Sequence, residues 1–290
     1  MILHNLMKVY KELYFRNYNR KGYKLAKTVQ AILKLNETEY SGDTLDIIKD
    51  IKTINDGKNN VISSQAKVLI ETINIAERKV KTSLSMVSDI TLTLMHDLIS
   101  QFEGNTYIVG GFVRDSIAGF KSNDIDFCTD ISYDILANKL QKIGWTVKVT
   151  GKQFLVMNVS TKNSDEVFEI AVLRKDKDNS GAEIGTIEED AQRRDFTIGA
   201  IYFDIRTKKL IDPNGTGIQD CNNKELKFIG KANERIQEDS IRVFRFFRFI
   251  GRGWNANSKS LKNVREHWNK ACDEANNTRI RLEIEKMVGI

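Results

Sequence analysis

A chain of 290 residues, 41% of them hydrophobic, has room for two domains or one large one and enough apolar content for a proper core. No apolar run reaches the roughly 18 to 20 residues of a membrane-crossing helix, and the opening "MILHNLMKVYKELYFRNYNR" lacks the apolar stretch and cleavage site of a signal peptide, so a cytoplasmic protein is expected. Three cysteines, Cys128, Cys221 and Cys272, too few and too scattered, exclude a disulfide framework and a zinc spacing, while a net charge of +6 leans towards a polyanionic partner without requiring one.

In chain order, the run "KVYKELYFRNYNRKGYKLAK" interleaves aromatic and basic side chains that could stack on bases and track phosphates. Leu6, Tyr10 and Leu13 or Tyr14 also fit a helix with one buried face, which is the favoured reading. "SGDTLDIIKDIKTINDGKNN" is expected to be a short helix with Asp43 or Ser41 near its start and a linker at residues 57 to 60. From residue 63 to about 102, Leu69, Ile73, Ala76, Val80, Leu84, Val87, Leu94 and Leu98 recur at helical spacing, predicting one long helix or two stacked ones. Near Asn105 the character changes. "TYIVGG", "TVKVT", "FLVMNVS", "VFEIAVL" and "TIGAIYFD" are β-branched and aromatic runs of strand length, predicting a mixed sheet. A turn follows at "DPNGTG", which holds the single proline, and "EDSIRVFRFFRFIGRGW" returns to helix, with Ile241, Phe244, Phe247 or Arg248, and Ile250 at helical steps.

The chemistry concentrates in "YIVGGFVRDSIAGFKSNDIDF". A strand that ends in Gly110 and Gly111 and turns into a helix lets backbone N–H groups approach an anion. Arg114, in the first helical turn, can grip phosphate oxygens, and Asp115 can fix that arginine or favour the helix N-terminus. A glycine pair alone more often marks a plain tight turn. Asp124 and Asp126 change the weighting: alternating on a strand, they would share one face, with Ile125 turned to the core. Paired carboxylates repel unless a cation lies between them, and hard oxygen ligands suit Mg²⁺. A phosphate cradle followed by a metal-holding pair points to phosphoryl transfer.

"GGFVRD", "DID", "RRDFTIGAI", "DPNGTGIQD", "EDSIRVFRFFRF" and "RIRLEIEK", in that order, resemble the motifs of the class II tRNA nucleotidyltransferase and bacterial poly(A) polymerase family, within the DNA polymerase β-like nucleotidyltransferase superfamily. The resemblance runs from about residue 90 onwards. It implies an α+β chain: a helical N-terminal extension (1–88) of unassigned role, a mixed-sheet nucleotidyltransferase head (89–230) and a short helical neck (231–290).

It also implies roles. Gly110, Gly111 and Arg114 would hold the triphosphate, and Asp124 and Asp126 the catalytic Mg²⁺ ions. Arg193 and Arg194 would approach phosphate and sugar, and Asp195 would recognise the ribose hydroxyl. Of Glu238, Asp239, Arg242 and Arg245 in the motif EDxxRxxR, Asp239 and Arg242 would pair with the incoming base. A carboxylate that accepts from an exocyclic amine and a guanidinium that donates to a ring nitrogen or carbonyl suit C and A and disfavour U and G. Their spacing would put both on one helix face. Glu169 is a candidate third carboxylate, with a surface glutamate as the equal alternative. "RKDKDNSGAEIGTIEEDAQ" resembles the family's mobile loop and equally an ordinary solvent loop.

The implied activity is Mg²⁺-dependent, template-independent addition of C and/or A to RNA 3′ ends from CTP and ATP, foremost CCA on tRNA. A poly(A) polymerase shares every motif. Two departures, Gly199 for the usual Asn and Ser240 for the usual Pro, affect local rigidity more than chemistry. The sequence stops at "EKMVGI", near the neck, without the family's helical body and tail; this brings in a toxin or defence-type tRNA-modifying enzyme as a further variant and a homodimer as a further expectation. A catalytically inert RNA-binding module is the rival of another class, and the intact carboxylate motifs speak against it. His4, His96 and His267 are isolated and receive no catalytic role.

Overall fold

A computed structural model describes residues 60–122, 124–151, 154–177 and 181–288. The expectations for the N-terminal aromatic and basic run, the short helix near Asp43 and the linker before Asn60 lie outside these residues. The division between the chain's two compact units falls after Arg78, and the site described below lies wholly in the second, Lys79–Ile290.

The predicted helical stretch is two helices, α1 (Asn60–Leu84) and α2 (Asp89–Ser100). The break is written locally: Ser88 adopts extended geometry and its hydroxyl accepts the Thr91 N–H at 3.1 Å, an N-cap that starts α2. Strand β1 (Thr106–Val109) follows, buried at all four positions, and runs through Gly110 into α3 (Gly111–Ala118). Gly119, left-handed at φ 81°, ends α3 by donating its N–H to the carbonyls of Asp115 and Ser116.

Next come β2 (Asp126–Thr129), α4 (Tyr133–Lys142), β3 (Thr146–Gly151), β4 (Val156–Ser160) and β5 (Val167–Val172). The polar segment expected as a loop is instead a hairpin, β6 (Arg174–Lys177) with β7 (Gly181–Ile184), followed by α5 (Ile187–Arg193). Helix α5 opens with a capping box, in which Glu189 N–H reaches Thr186 Oγ1 (3.2 Å) and Thr186 N–H reaches Glu189 Oε2 (2.8 Å). Where "TIGAIYFD" predicts one strand, Thr197–Gly199 form a 3₁₀ turn and only Tyr202–Asp204 are strand β8.

After β8 come β9 (Lys209–Ile211), α6 (Gly217–Asn223), β10 (Glu225–Leu226), α7 (Ala232–Glu238), α8 (Ile241–Gly251), β11 (Asn255–Ala256), α9 (Ser258–Glu266), α10 (Trp268–Glu274) and α11 (Asn277–Val288). The main sheet is mixed, in the order β3-β4-β5-β2-β1-β8-β9, with β2 parallel to β5 and antiparallel to β1. The expected α+β architecture with a mixed sheet is what the chain forms.

Two features fix the site. Val109 pairs with Asp126 across β1 and β2, so the end of the glycine strand and the start of the aspartate strand lie side by side. An aromatic cluster then fastens α8 to the bridged segments at Phe196 and Phe228: Phe196 lies 4.8 Å from Phe228 and 5.5 Å from Phe249, and Phe228 stacks on Phe246 at 5.7 Å. Burying each such ring contributes about 2 to 3 kcal/mol. Along α8 the fully buried positions are Ile241, Val243, Phe244, Phe246 and Phe249, with Phe247, Arg248 and Ile250 half-buried. The helix is wedged on two sides rather than one.

Candidate active site

Gly110 precedes α3 with φ 75° and ψ −126°, a conformation open to glycine and strained for other residues. A β-carbon there would stand 3.7 Å from Asp126 Oδ2, so the missing side chain also keeps the backbone beside the carboxylate open. Arg114 is aimed by Asp115, its Nε and Nη2 donating to the two carboxylate oxygens at 2.7 and 2.8 Å. Its guanidinium lies 4.9 Å from the Phe249 ring, and Arg252 also reaches Asp115, at 3.3 Å. Asp115 therefore fixes the arginine and does not cap the helix. Only part of the Arg114 fork is spent, and the rest of its donors remain for an anion.

The two aspartates do line one cleft, by a different route from the predicted strand alternation. Strand β2 begins at Asp126; Asp124 precedes it and is exposed, while Ile125 between them is buried as expected. Burial first, then the charges of Asp124 and Glu169, push the Asp126 carboxyl up to about 7, against the opposing charges of Arg194 and Lys286. Glu169 is exposed on β5, next to Ile170, which pairs with Phe127. Among the described residues no group of three or more Asp, Glu, His or Cys side chains forms a ready-made metal cage. That donor set fits Mg²⁺, which is held by one or two carboxylates with waters and substrate phosphates completing the shell. A crowded carboxylate whose charge is opposed by its neighbours is the electrostatic setting in which a hard cation is welcome.

The arginines of "RRD" are Arg193 and Arg194. Both are anchored from below by Asp190, which is 1% exposed. It accepts Arg193 Nε and Nη2 (2.9 and 2.6 Å), Arg194 Nε (2.9 Å) and Tyr202 OH (2.7 Å). Burial alone would raise the Asp190 carboxyl, but the two guanidinium groups outweigh it and hold it down at about 2. Arg194 lines the cleft and Arg193 does not. Asp195 accepts its neighbour Phe196 N–H at 2.9 Å and Arg245 Nε at 2.5 Å. Burial opposes its ionisation, yet Arg245 wins and lowers its pKa.

The base-reading pair behaves differently from its prediction. Asp239 ends α7 in extended geometry and α8 starts only at Ile241, so Asp239 and Arg242 do not share one helix face. Arg242 donates to Glu238 Oε2 (2.7 Å), the Arg235 carbonyl (2.8 Å) and the Arg193 carbonyl (2.9 Å). Asp239 is gripped by Arg279 from α11. Neither side chain lines the cleft that holds Asp124 and Asp126, although the Asp239 charge contributes to raising the pKa of Arg245, which does.

Helix α11 supplies what the sequence reading left out. Arg279, Glu283 and Lys286 stand at i, i+4 and i+7, one stripe of the helix. Arg279 holds Asp239, Glu283 bridges Arg245 (3.6 Å) and Arg248 (2.6 Å), and Lys286 lines the cleft, its charge opposing the rise of Asp126. The motif "RIRLEIEK" carried this signal: charges at helical spacing around apolar residues. The cleft holds about 400 Å³, and Arg248, Arg252 and Lys121 join Arg114, Arg194, Arg245 and Lys286 on its wall against Asp115, Asp124, Asp126 and Asp195. Seven cations facing four carboxylates suit a polyanion that arrives with metal.

Residues 106–227 match the family described as the poly A polymerase head domain. Among curated proteins, the mitochondrial CCA tRNA nucleotidyltransferase 1 of Danio rerio is 30% identical over 204 residues, 65% of this chain and 44% of that protein. Poly(A) polymerase I of Salmonella typhi is 31% identical over 163 residues, 50% of this chain and 34% of that one. The crystal structure of the Bacillus stearothermophilus CCA-adding enzyme in complex with CTP superposes with a TM-score of 0.60 at 26% identity, covering 69% of this chain and 48% of that one. The chain thus spans less than half the length of each of these relatives. Over residues 106–227 it is similar to the poly A polymerase head domain, and CCA-adding enzymes and poly(A) polymerases are among the proteins it resembles.

Proposed function

We propose that the chain is a Mg²⁺-dependent, template-independent RNA nucleotidyltransferase that adds C and/or A to RNA 3′ ends, with CCA addition or repair on tRNA as its leading form. The carrying observation is the single cleft that sets Gly110, Gly111 and Arg114 beside Asp124 and Asp126 and faces both with Arg194 and Arg245. In this reading Asp124 and Asp126 hold Mg²⁺, which supplies activation of the RNA 3′-hydroxyl and charge neutralisation on the triphosphate. The open backbone at Gly110 and Gly111 and the unspent N–H groups of Arg114 bind the phosphates. Arg194, held still by Asp190 and Tyr202, presents charge to the same oxygens without needing to reorganise. Asp195, kept ionised by Arg245, accepts the ribose hydroxyl, while Asp239 and Arg242 read the base.

Incubation with Mg²⁺ and each labelled NTP, on tRNA ending before CCA, after C and after CC and on an unrelated oligoribonucleotide, tests this. Addition of C, C and A that then stops supports CCA addition; open-ended A addition to any RNA makes the chain a poly(A) polymerase. No incorporation, with folded protein and an Asp124→Asn/Asp126→Asn control alongside, favours the inert module or a toxin-type enzyme with another substrate.

A further inference from the structure

Phe120 follows Gly119 at the end of α3 and precedes Lys121 and Ser122, which line the cleft. Its own ring is half-buried and packs on Trp254 at 6.3 Å. Two cations from different elements stand over that ring: Lys224 Nζ at 4.5 Å, from the end of α6, and Arg252 Cζ at 5.9 Å, from the end of α8. Lys224 is left-handed at φ 53°, a helix-ending conformation that glycine adopts at lower cost. Among the described residues it has no carboxylate partner, and its neighbour Glu225 pairs with Lys227 instead. Lys121 likewise has none, while Arg252 shares Asp115 with Arg114.

A carboxylate that fixes a cation also cancels its charge. An aromatic face fixes it through the ring quadrupole and leaves its N–H donors for a further anion. Lys121, Arg252 and Lys224 therefore carry the positive wall of the cleft outward past Phe120, and cations interleaved with a partly exposed ring are the composition that tracks a single nucleic-acid strand.

We propose that Phe120, Lys224 and Arg252 form an exit track for RNA, in which the phosphodiester backbone just upstream of the reacting 3′-hydroxyl leaves the cleft over Phe120 and is held by Lys224. The inference rests on the proposed function and adds the surface that receives the second substrate. In that reading the nucleotide's phosphates are met inside the cleft by Gly110, Gly111, Arg114 and Arg194, whereas Phe120 and Lys224 are not among the residues that line it. A strand whose end lies in the cleft has to continue beyond its wall, and a nucleotide does not.

The test uses the full chain and the variants K224A, K224E, K224R, F120L and F120A, with K142E as a control at an exposed lysine on α4. Equilibrium binding of a 5′-labelled single-stranded oligoribonucleotide, without nucleotide, is measured over a range of salt. Binding of CTP with Mg²⁺ and of pyrophosphate is measured separately, and thermal melting confirms folding. K224A is expected to weaken RNA binding about tenfold at low salt, and K224E further. The slope of log affinity against log salt should fall by about 0.7, the share of one phosphate contact to a single strand. F120L, which removes no charge and keeps the bulk, weakens RNA binding as K224A does, while K224R stays near the parent and the CTP and pyrophosphate affinities do not change. RNA affinity unchanged in K224E and F120A, an equal loss in K142E, or a loss of CTP or pyrophosphate affinity matching that of RNA overturns the inference; the last makes the patch part of the nucleotide's phosphate site. In each of those cases a parent chain that still binds RNA and adds nucleotides leaves the proposed function standing. A parent that does neither overturns both.

Discussion

Arg245, on the second turn of α8, donates to Asp195 at 2.5 Å across 50 residues of sequence, and the same guanidinium is 3.6 Å from Glu283 on α11. Asp195 is thereby held ionised and oriented, with Oδ1 turned back to its neighbour Phe196. Asp195→Ala is expected to reduce the preference for ribonucleotides over deoxyribonucleotides about 10²-fold or more, because a site built to bind a hydroxyl rejects an analogue without it far more strongly than an apolar site can. Paired kcat/KM values for CTP and dCTP check this; an unchanged ratio removes Asp195 from sugar recognition.

Asp124→Asn and Asp126→Asn are each expected to lower nucleotide incorporation by at least about 10²-fold, in line with the loss of a preorganised electrostatic partner. A readout independent of turnover accompanies this. Mg²⁺ should raise the melting temperature of the parent chain and leave the double variant unmoved, since only a ligand that binds the folded state stabilises it.

Lys286 has no carboxylate partner within ion-pair distance among the described residues, whereas Arg114, Arg194, Arg245, Arg248 and Arg252 each have one. Its charge is free for a phosphate. Lys286→Ala should raise KM for the nucleotide about tenfold, with the loss growing smaller as salt rises and screens the contact. Steady-state kinetics at two ionic strengths decide it.

Asp190 is a stability element with a defined pH window. Its folded pKa, about 2, lies below the ordinary carboxylate value of 3.8. Its contribution is therefore complete above pH 4 and disappears as the pH falls through the window from about 4 to 2. The shift corresponds to about 2 kcal/mol at neutral pH. Asp190→Asn should lose at least that much in denaturant unfolding at pH 7 and show a flatter acid limb.

Ser240 has a φ of −63°, and this angle and the extended Asp239 before it are those a proline needs. No hydrogen bond from the Ser240 N–H is seen among the described residues. Ser240→Pro is expected to stabilise the chain by about 0.4 to 1 kcal/mol through the unfolded state, with activity kept. A lower melting temperature would show that the N–H has a partner after all.

Much of this site was readable because its signals are local. Two glycines after an apolar run marked the strand-to-helix turn, and Arg114 and Asp115 sit on adjacent residues. The aspartate pair was found, though strand alternation was the wrong reason: Asp124 sits ahead of β2, and sheet pairing of Val109 with Asp126 brings the two halves together. What the sequence hid was long-range. Asp239 looked like a helical neighbour of Arg242 because helical spacing continues through the junction, although Asp-Ser ahead of an apolar run is itself a helix-start signal. The hairpin of Arg174–Lys177 with Gly181–Ile184 looked like a loop because its sequence is mostly polar and charged, while the Thr186 and Glu189 capping box behind it was local and could have been read.

Asp195 and Phe196 are consecutive, one side chain directed to Arg245 and the other plugged between Phe228 and Phe249. The chain thus has no slack between the Arg245 contact of Asp195 and the aromatic rivet at Phe196. Sliding α8 past Phe228 would drag Phe196, and with it Asp195, out of register. In the proposed function, ring packing then sets the reach from Gly110 to the start of α8, and accommodation of successive nucleotides would come from side chains at its ends rather than from its length.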